Sequence, residues 1–230
     1  KGQITGKNSM WPATMLEELG DSVSAVNYME NHHTDASGKV RSALTRPWTE
    51  SPPQALMTST LQQQTSNLYN CNPKRTMQIA QKLYEAGHIT YMRTDQTNMS
   101  EEAILQAKKT IESRWGKQYL GELKPQIKVQ NKSAKATGQP QAQEAHEAIR
   151  PTHFENSQLP ASEDWSPVDK KIYHLIWLRA IQSIMAQAKG EGRTVIFDLD
   201  GDENELPWEA KWKRTLFPGW KIADEKDAQI

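Results

Sequence analysis

Tyr91 and Arg93 stand two residues apart in the run Ile89-Thr90-Tyr91-Met92-Arg93-Thr94-Asp95. On a short strand, alternation sends both side chains to the same face. A tyrosine hydroxyl can serve as a covalent nucleophile, and arginine's planar fork suits the oxygens of a phosphate. The pair therefore points to attack on a phosphodiester. Thr90, Thr94 and Asp95 flank it and are placed to orient it. A second run, Glu144-Ala145-His146-Glu147-Ala148-Ile149-Arg150-Pro151, sets His146 and Arg150 four apart, one face of a helix. Lys74 and Arg75 fall at the start of another expected helix, where backbone amides attract phosphate. Plainer readings exist for all of these: a packed strand tyrosine, a surface i, i+4 pair, two solvated cations.

Local signals outline the elements that must position these residues. Thr58 or Ser59 can cap a short helix running toward Tyr69. Asn72-Pro73 is a cap followed by proline at the first helical position, and Met77, Ile79, Ala80, Leu83 and Tyr84 form an apolar stripe that stops at Gly87. Helix, tight turn, helix and a strand bearing Tyr91 make a winged-helix-like plan, one often used on nucleic acid. Ser100 with Glu101 and Glu102 opens a third helix to about Trp115. Glu144 to Ile149 reads as a short helix ended by Pro151. The stretch from Trp165 to Gly190 contains the longest apolar helix, with Pro167 near its start. The tail changes period: Thr194-Val195-Ile196-Phe197 and Trp208 to Trp212 read as two strands joined by an acidic turn. At the other end, Trp11 to Gly20 could form a helix, a polar stretch follows, and Ser51-Pro52-Pro53 marks a domain crossing.

Composition narrows the classes. The chain has 230 residues, 36% of them hydrophobic, and a mean hydropathy of −0.80, so its core must be economical. No run approaches the roughly 18 apolar residues of a membrane span, and no signal segment opens the chain, so a soluble, intracellular protein is expected. A single cysteine, Cys71, excludes an internal disulfide and a cysteine-rich zinc site. Lysine and arginine balance aspartate and glutamate, 28 against 28, so bulk charge gives nucleic-acid binding no support. Lys117, Lys124, Lys128, Lys132 and Lys135 nevertheless form a lysine-rich loop. The first residue is Lys1, which suggests a piece of a longer protein.

Three motifs together carry a resemblance. Thr58-Ser59-Thr60-Leu61-Gln62-Gln63, the run from Thr76 through Tyr84-Glu85-Ala86-Gly87 to Asp95, and His146-Glu147-Ala148-Ile149-Arg150-Pro151 closely resemble the type IA DNA topoisomerases of the bacterial topoisomerase I style. Phe217-Pro218-Gly219-Trp220 looks like the family's strand-end motif. The resemblance implies an α+β fold: a winged-helix-like domain over 55–180, inserted in a β-rich hinge or arch domain built from 1–54 and 181–230. It makes Tyr91 the nucleophile that cleaves single-stranded DNA, leaving a 5′-phosphotyrosyl link and a free 3′-hydroxyl. A strand then passes, the break is resealed, and negative supercoils relax. Arg93 would hold the phosphate, His146 would contact DNA near the cleavage site, and Arg150 would support the backbone or the active-site loop. Gln96 departs from the pattern, which usually has serine there.

The family's Mg²⁺ ligands and general acid lie on an N-terminal toprim domain outside this chain, so no metal is expected here. The fragment is then expected to bind single-stranded DNA without cleaving it. The implied partners are DNA and the toprim and gate domains of the same protein, in a cytoplasmic, nucleoid-associated monomer. Asp198-Leu199-Asp200-Gly201-Asp202-Glu203 could bind Mg²⁺ through alternating carboxylates, but reads better as an exposed turn. Two other classes stay open: a non-catalytic winged-helix DNA binder, and a helical adaptor suggested by zero net charge and eight tryptophans.

Overall fold

A computed structural model describes residues 2–6, 9–31, 37–122, 147–200 and 206–224. The chain divides into two compact units, one of residues 1–49 with 189–217, the other of residues 50–188 with 218–229. The fold is α+β.

The first unit is built on a five-stranded sheet of order β1-β2-β5-β4-β3. Its strands are β1 (Gly2–Gly6), β2 (Ser9–Met15), β3 (Gly38–Glu50), β4 (Ala188–Leu199) and β5 (Trp208–Phe217), with one helix, α1 (Ser22–Asn31). The helix expected from Trp11 is instead the strand β2, antiparallel to both β1 and β5. Burial explains the difference, because Ala13 is buried beside exposed Pro12 and Thr14, a period of two. Ala13 lies opposite Ala210, and with Phe197 they form a small core flanked by Val195, Leu199, Trp208 and Trp212. The two tail strands form as expected and extend further, paired antiparallel from Phe197↔Trp208 to Lys189↔Phe217. At the acidic turn, Arg41 forks onto Asp198 (2.8 and 3.0 Å) and the Ser37 hydroxyl donates to Asp200 (2.6 Å). These two carboxylates are thus engaged by protein donors, and 201–205 lie outside the described residues.

The second unit is helical: α2 (Thr58–Tyr69), α3 (Pro73–Glu85), α4 (Glu101–Arg114) and α5 (Pro167–Gln182). Asn70, in the left-handed region at φ 51°, turns the chain between α2 and α3. Asn72 caps α3 by accepting from the Arg75 amide (2.8 Å), with Pro73 at the first position. Ser100 caps α4, and Ser166 and Asp169 cap each other reciprocally at the start of α5. α5 serves two cores, one through Trp177 and Ile181 with Ala107 and Ile111 of α4, the other through Ile172 and Ile176 with Leu61 of α2 and Leu83 of α3. A helix buried on both sides shows no single apolar stripe.

One expectation fails in this unit. Residues 147–149 are extended rather than helical: Ile149 bridges Leu56 and Pro151 bridges Ile89. Proline disfavours the helical region at the residue before it, and these bridges give the backbone partners a helix would have supplied. Residues 144–146 and most of the lysine-rich loop lie outside the described residues. The two compact units divide at Ala188/Lys189, since α5 runs to Gln182 and Met185 bridges Leu120. After β5, Pro218 and the short 3-10 turn Gly219–Ala223 return to the helical unit, where the Trp220 amide donates to the Ala186 carbonyl (2.9 Å). Gly219 sits at φ 54°, and a Cβ there would lie 2.4 Å from the Gln187 carbonyl carbon, so only glycine fits. Among the described residues no helix is long and apolar enough to cross a membrane.

Candidate functional site

The expected strand bearing Tyr91 is reduced to a single bridge, Ile89↔Pro151, followed by irregular chain with a bend at Met92. Burial alternates over Tyr91, Met92 and Arg93 alone, since Ile89 is buried where a regular strand would expose it with Tyr91. Ile89 and Met92 are each 1% exposed in the core with Leu61, Leu83 and Ile149, whereas Tyr91 is 45% exposed and Arg93 is exposed. The buried Met92 between them turns both side chains outward. Tyr91 meets the ring of Tyr84, on the last turn of α3, edge to face at 5.3 Å. Among the described residues, neither the Tyr91 hydroxyl nor the Arg93 guanidinium has a hydrogen bond or ion pair. A phenol and a guanidinium are thus presented together, both exposed and, among the described residues, without polar partners.

Two threonines fix the chain on either side of Tyr91 and Arg93. On the Tyr91 side, the Thr90 amide donates to the Arg150 carbonyl (2.9 Å), and its hydroxyl donates to the Ala148 carbonyl (2.8 Å) while accepting from the Arg150 amide (3.0 Å). Arg150 itself is braced. Its Nε and Nη2 donate to the two Glu147 oxygens at 2.9 Å each, and Nη1 donates to the Pro151 carbonyl at 3.0 Å. Glu147 also accepts the Ser100 amide (2.9 Å), tying the brace to the cap of α4. Burial pushes the Glu147 carboxyl up, but the hydrogen bonds from Arg150 and Ser100 outweigh it and hold it below its ordinary value. The Arg150 guanidinium is thus engaged within its own segment, by Glu147 and Pro151.

On the Arg93 side, Thr94 and Met92 are tied to the first residue of α2. The Thr58 amide donates to the Thr94 carbonyl (3.0 Å), and the Thr94 amide donates to the Thr58 hydroxyl (2.9 Å). That hydroxyl lies 2.7 Å from the Met92 carbonyl and 3.0 Å from the Thr94 carbonyl. The expected capping role falls elsewhere, since the cap is Met57, whose amide donates to the Thr60 hydroxyl (3.0 Å). Asp95 is exposed and accepts from the Gln96 side chain (2.9 Å), and the Gln96 amide donates to the Thr94 hydroxyl (3.1 Å). The glutamine thus turns Asp95 and Thr94 toward itself.

Lys74 and Arg75 are exposed at the start of α3, and among the described residues neither side chain has a partner. His146 lies outside the described residues, so its expected place near Arg150 has no geometry to report. Sequence reading missed Tyr84 as a neighbour of Tyr91, Glu147 as the partner of Arg150, and the use made of the Thr58 hydroxyl. Only Glu147 left a signal, three residues before an arginine. Among the described residues no group of three His, Cys, Asp or Glu side chains could hold a metal ion. They do not fit a Mg²⁺ site.

A family model described as DNA topoisomerase matches residues 3–229. The chain belongs to this family, the bacterial type IA DNA topoisomerases. It is 38% identical over 197 residues to DNA topoisomerase 1 of Synechococcus elongatus, covering 84% of this chain and 21% of that protein. With DNA topoisomerase 1 of Zymomonas mobilis it is 36% identical over 228 residues, 98% of this chain and 17% of that protein. The chain therefore spans about a fifth of the length of these curated relatives. Its fold is similar to that of full-length topoisomerase I from Thermotoga maritima, with a TM-score of 0.72 at 24% identity, covering 96% of this chain and 35% of that one.

Proposed function

We propose that this chain carries the nucleophile of a topoisomerase that cuts and reseals single-stranded DNA. The Tyr91 oxygen attacks a backbone phosphorus and gives up its proton. The bond from phosphorus to the 3′ oxygen breaks, and that oxygen takes up a proton as a free hydroxyl. The other side of the break is held as a 5′-phosphotyrosyl ester. Reversal by the same 3′-hydroxyl reseals the strand after another has passed, relaxing negative supercoils. Arg93 grips the non-bridging oxygens and stabilises the charge that builds on them in the transition state. Lys74, Arg75 and His146 draw the flanking backbone in, while Thr90, Thr94, Asp95 and Arg150 hold the loop. The pair α2 and α3 with the Tyr91 segment serves as a winged-helix-like unit inserted in a hinge or arch formed by the sheet.

One observation carries this reading: Tyr91 and Arg93 are both exposed and, among the described residues, without polar partners, on either side of a methionine anchored in the core. Metal and general-acid chemistry would come from another domain, so this chain alone binds single-stranded DNA and does not cut it. Each phosphate it contacts contributes a salt slope of about −0.7 on single strands. The test is to denature the intact enzyme during turnover on labelled single-stranded DNA. Protein-linked label is expected from the wild type and none from Tyr91→Phe, with DNA affinity nearly unchanged. Label on the phenylalanine variant would end the assignment.

A further inference from the structure

We infer that Thr58 is a positioning residue for Arg93, setting where its guanidinium meets the phosphate. The inference rests on the role proposed for Arg93. Thr58 is the first residue of α2, where the helix leaves its amide without an internal partner. That amide is met by the Thr94 carbonyl rather than by a cap (3.0 Å). Its hydroxyl is free of capping because Thr60 serves Met57. A threonine hydroxyl has one proton to give and lone pairs to receive. Here the proton faces the Met92 and Thr94 carbonyls, 2.7 and 3.0 Å away, and the oxygen accepts the Thr94 amide at 2.9 Å. The peptide groups on both sides of Arg93 therefore converge on one side chain. Among the described residues the Arg93 side chain itself has no partner, so the backbone is its tether. Leu61, one turn further along α2, is fully buried, so the tether starts from a fixed helix.

Loss of the hydroxyl leaves the Arg93 side chain in place and loosens its base, so it weakens alignment in the transition state more than ground-state attraction to phosphate. The test uses the intact enzyme and measures single-turnover cleavage, affinity for single-stranded DNA, and amide exchange of the peptide holding Thr94. Thr58→Val, close in shape without the hydroxyl, should slow cleavage by up to about 100-fold, the scale of a small misplacement of a reacting group. Affinity should hold and exchange at Thr94 should rise. Thr58→Ser keeps the hydroxyl and should recover most of the rate, and Thr58→Ala should behave as the valine variant does. In an Arg93→Ala background, Thr58→Val should add no further loss, because the residue it positions is gone. A silent Thr58→Val, or one equally damaging with and without Arg93, overturns the inference while leaving the Arg93 assignment standing. Cleavage unchanged in Arg93→Ala overturns both.

Discussion

The helical unit and the sheet unit of this chain are built to different tolerances. The helical unit buries Leu61, Leu83, Ile89, Met92, Ile111, Ile149, Phe154, Ile172, Ile176 and Ile181 to 2% exposure or less, in two clusters that share α5. The described core of the sheet unit centres on Ala13, Phe197 and Ala210. Its strand β3 is exposed along nearly its whole length, Val40 and Leu44 included. Tyr91 and Arg93 spring from the densely packed unit. The reacting pair proposed above would have to be held to a fraction of an ångström by neighbours that cannot shift, and among the described residues the helical unit supplies more of them.

The sharpest way to break this contrast is to excavate both units. Leu61→Ala should cost about 2–5 kcal/mol of stability, since the helices around it cannot fully close the gap. Val40→Ala on the exposed strand should stay within about 0.5 kcal/mol. Denaturant titration of the two variants would read both, and equal losses would erase the distinction. Next in size, Arg93→Ala should raise the cleavage barrier by about 2.7–4 kcal/mol, the scale of losing one oxyanion donor. Arg93→Lys should rescue poorly for want of a fork. Lys213→Ala, an exposed cation of the sheet unit, should leave the single-turnover rate as it was.

Smaller effects probe the brace behind Tyr91. Glu147→Gln should cost about 1–3 kcal/mol, because it leaves the largely buried Arg150 guanidinium short of its charged partner. Acid should act on this brace and on the cap of α5. Burial raises the Asp169 carboxyl, but hydrogen bonds from Ser166 and Lys82 outweigh it, so that it ends below its ordinary value, as Glu147 does. A depressed carboxylate stabilises the fold fully above its unfolded value and loses that contribution as pH falls through the folded one. The contribution of these two carboxylates to stability should therefore be flat above the ordinary values of 4.5 and 3.8 and decline below them. In Glu147→Gln the acid slope should shrink. A slope unchanged by that substitution would place the acid sensitivity elsewhere.

What could be read from the sequence follows the range of the forces involved. Asn72-Pro73 and Ser100 act on amides two or three residues away, so α3 and α4 were legible with their starts. Tyr91 and Arg93 are near neighbours, so their pairing was legible, but the burial of Met92 between them comes from the core it joins with Leu61, Leu83 and Ile149. Strand β2 was not legible, because Ala13 finds its place only opposite Ala210. The extended path through Ile149 depends on Leu56 and Ile89, far back in the chain. Thr58 looked like a cap because local chemistry allows it, and the contact that redirects it comes from Met92 and Thr94.

Two exposed tyrosines stand side by side, and either hydroxyl could form the ester. Tyr84 and Tyr91 lie 5.3 Å apart between ring centres and are 40% and 45% exposed. Only Tyr91 shares its outward face with Arg93 across a buried residue. Digesting the trapped protein–DNA adduct and sequencing the nucleotide-bearing peptide by mass spectrometry decides between them. The nucleotide is predicted on Tyr91, with its phosphate as the 5′ end of the cut strand. A nucleotide on Tyr84, or on any residue outside the Ile89–Asp95 segment, would contradict the account.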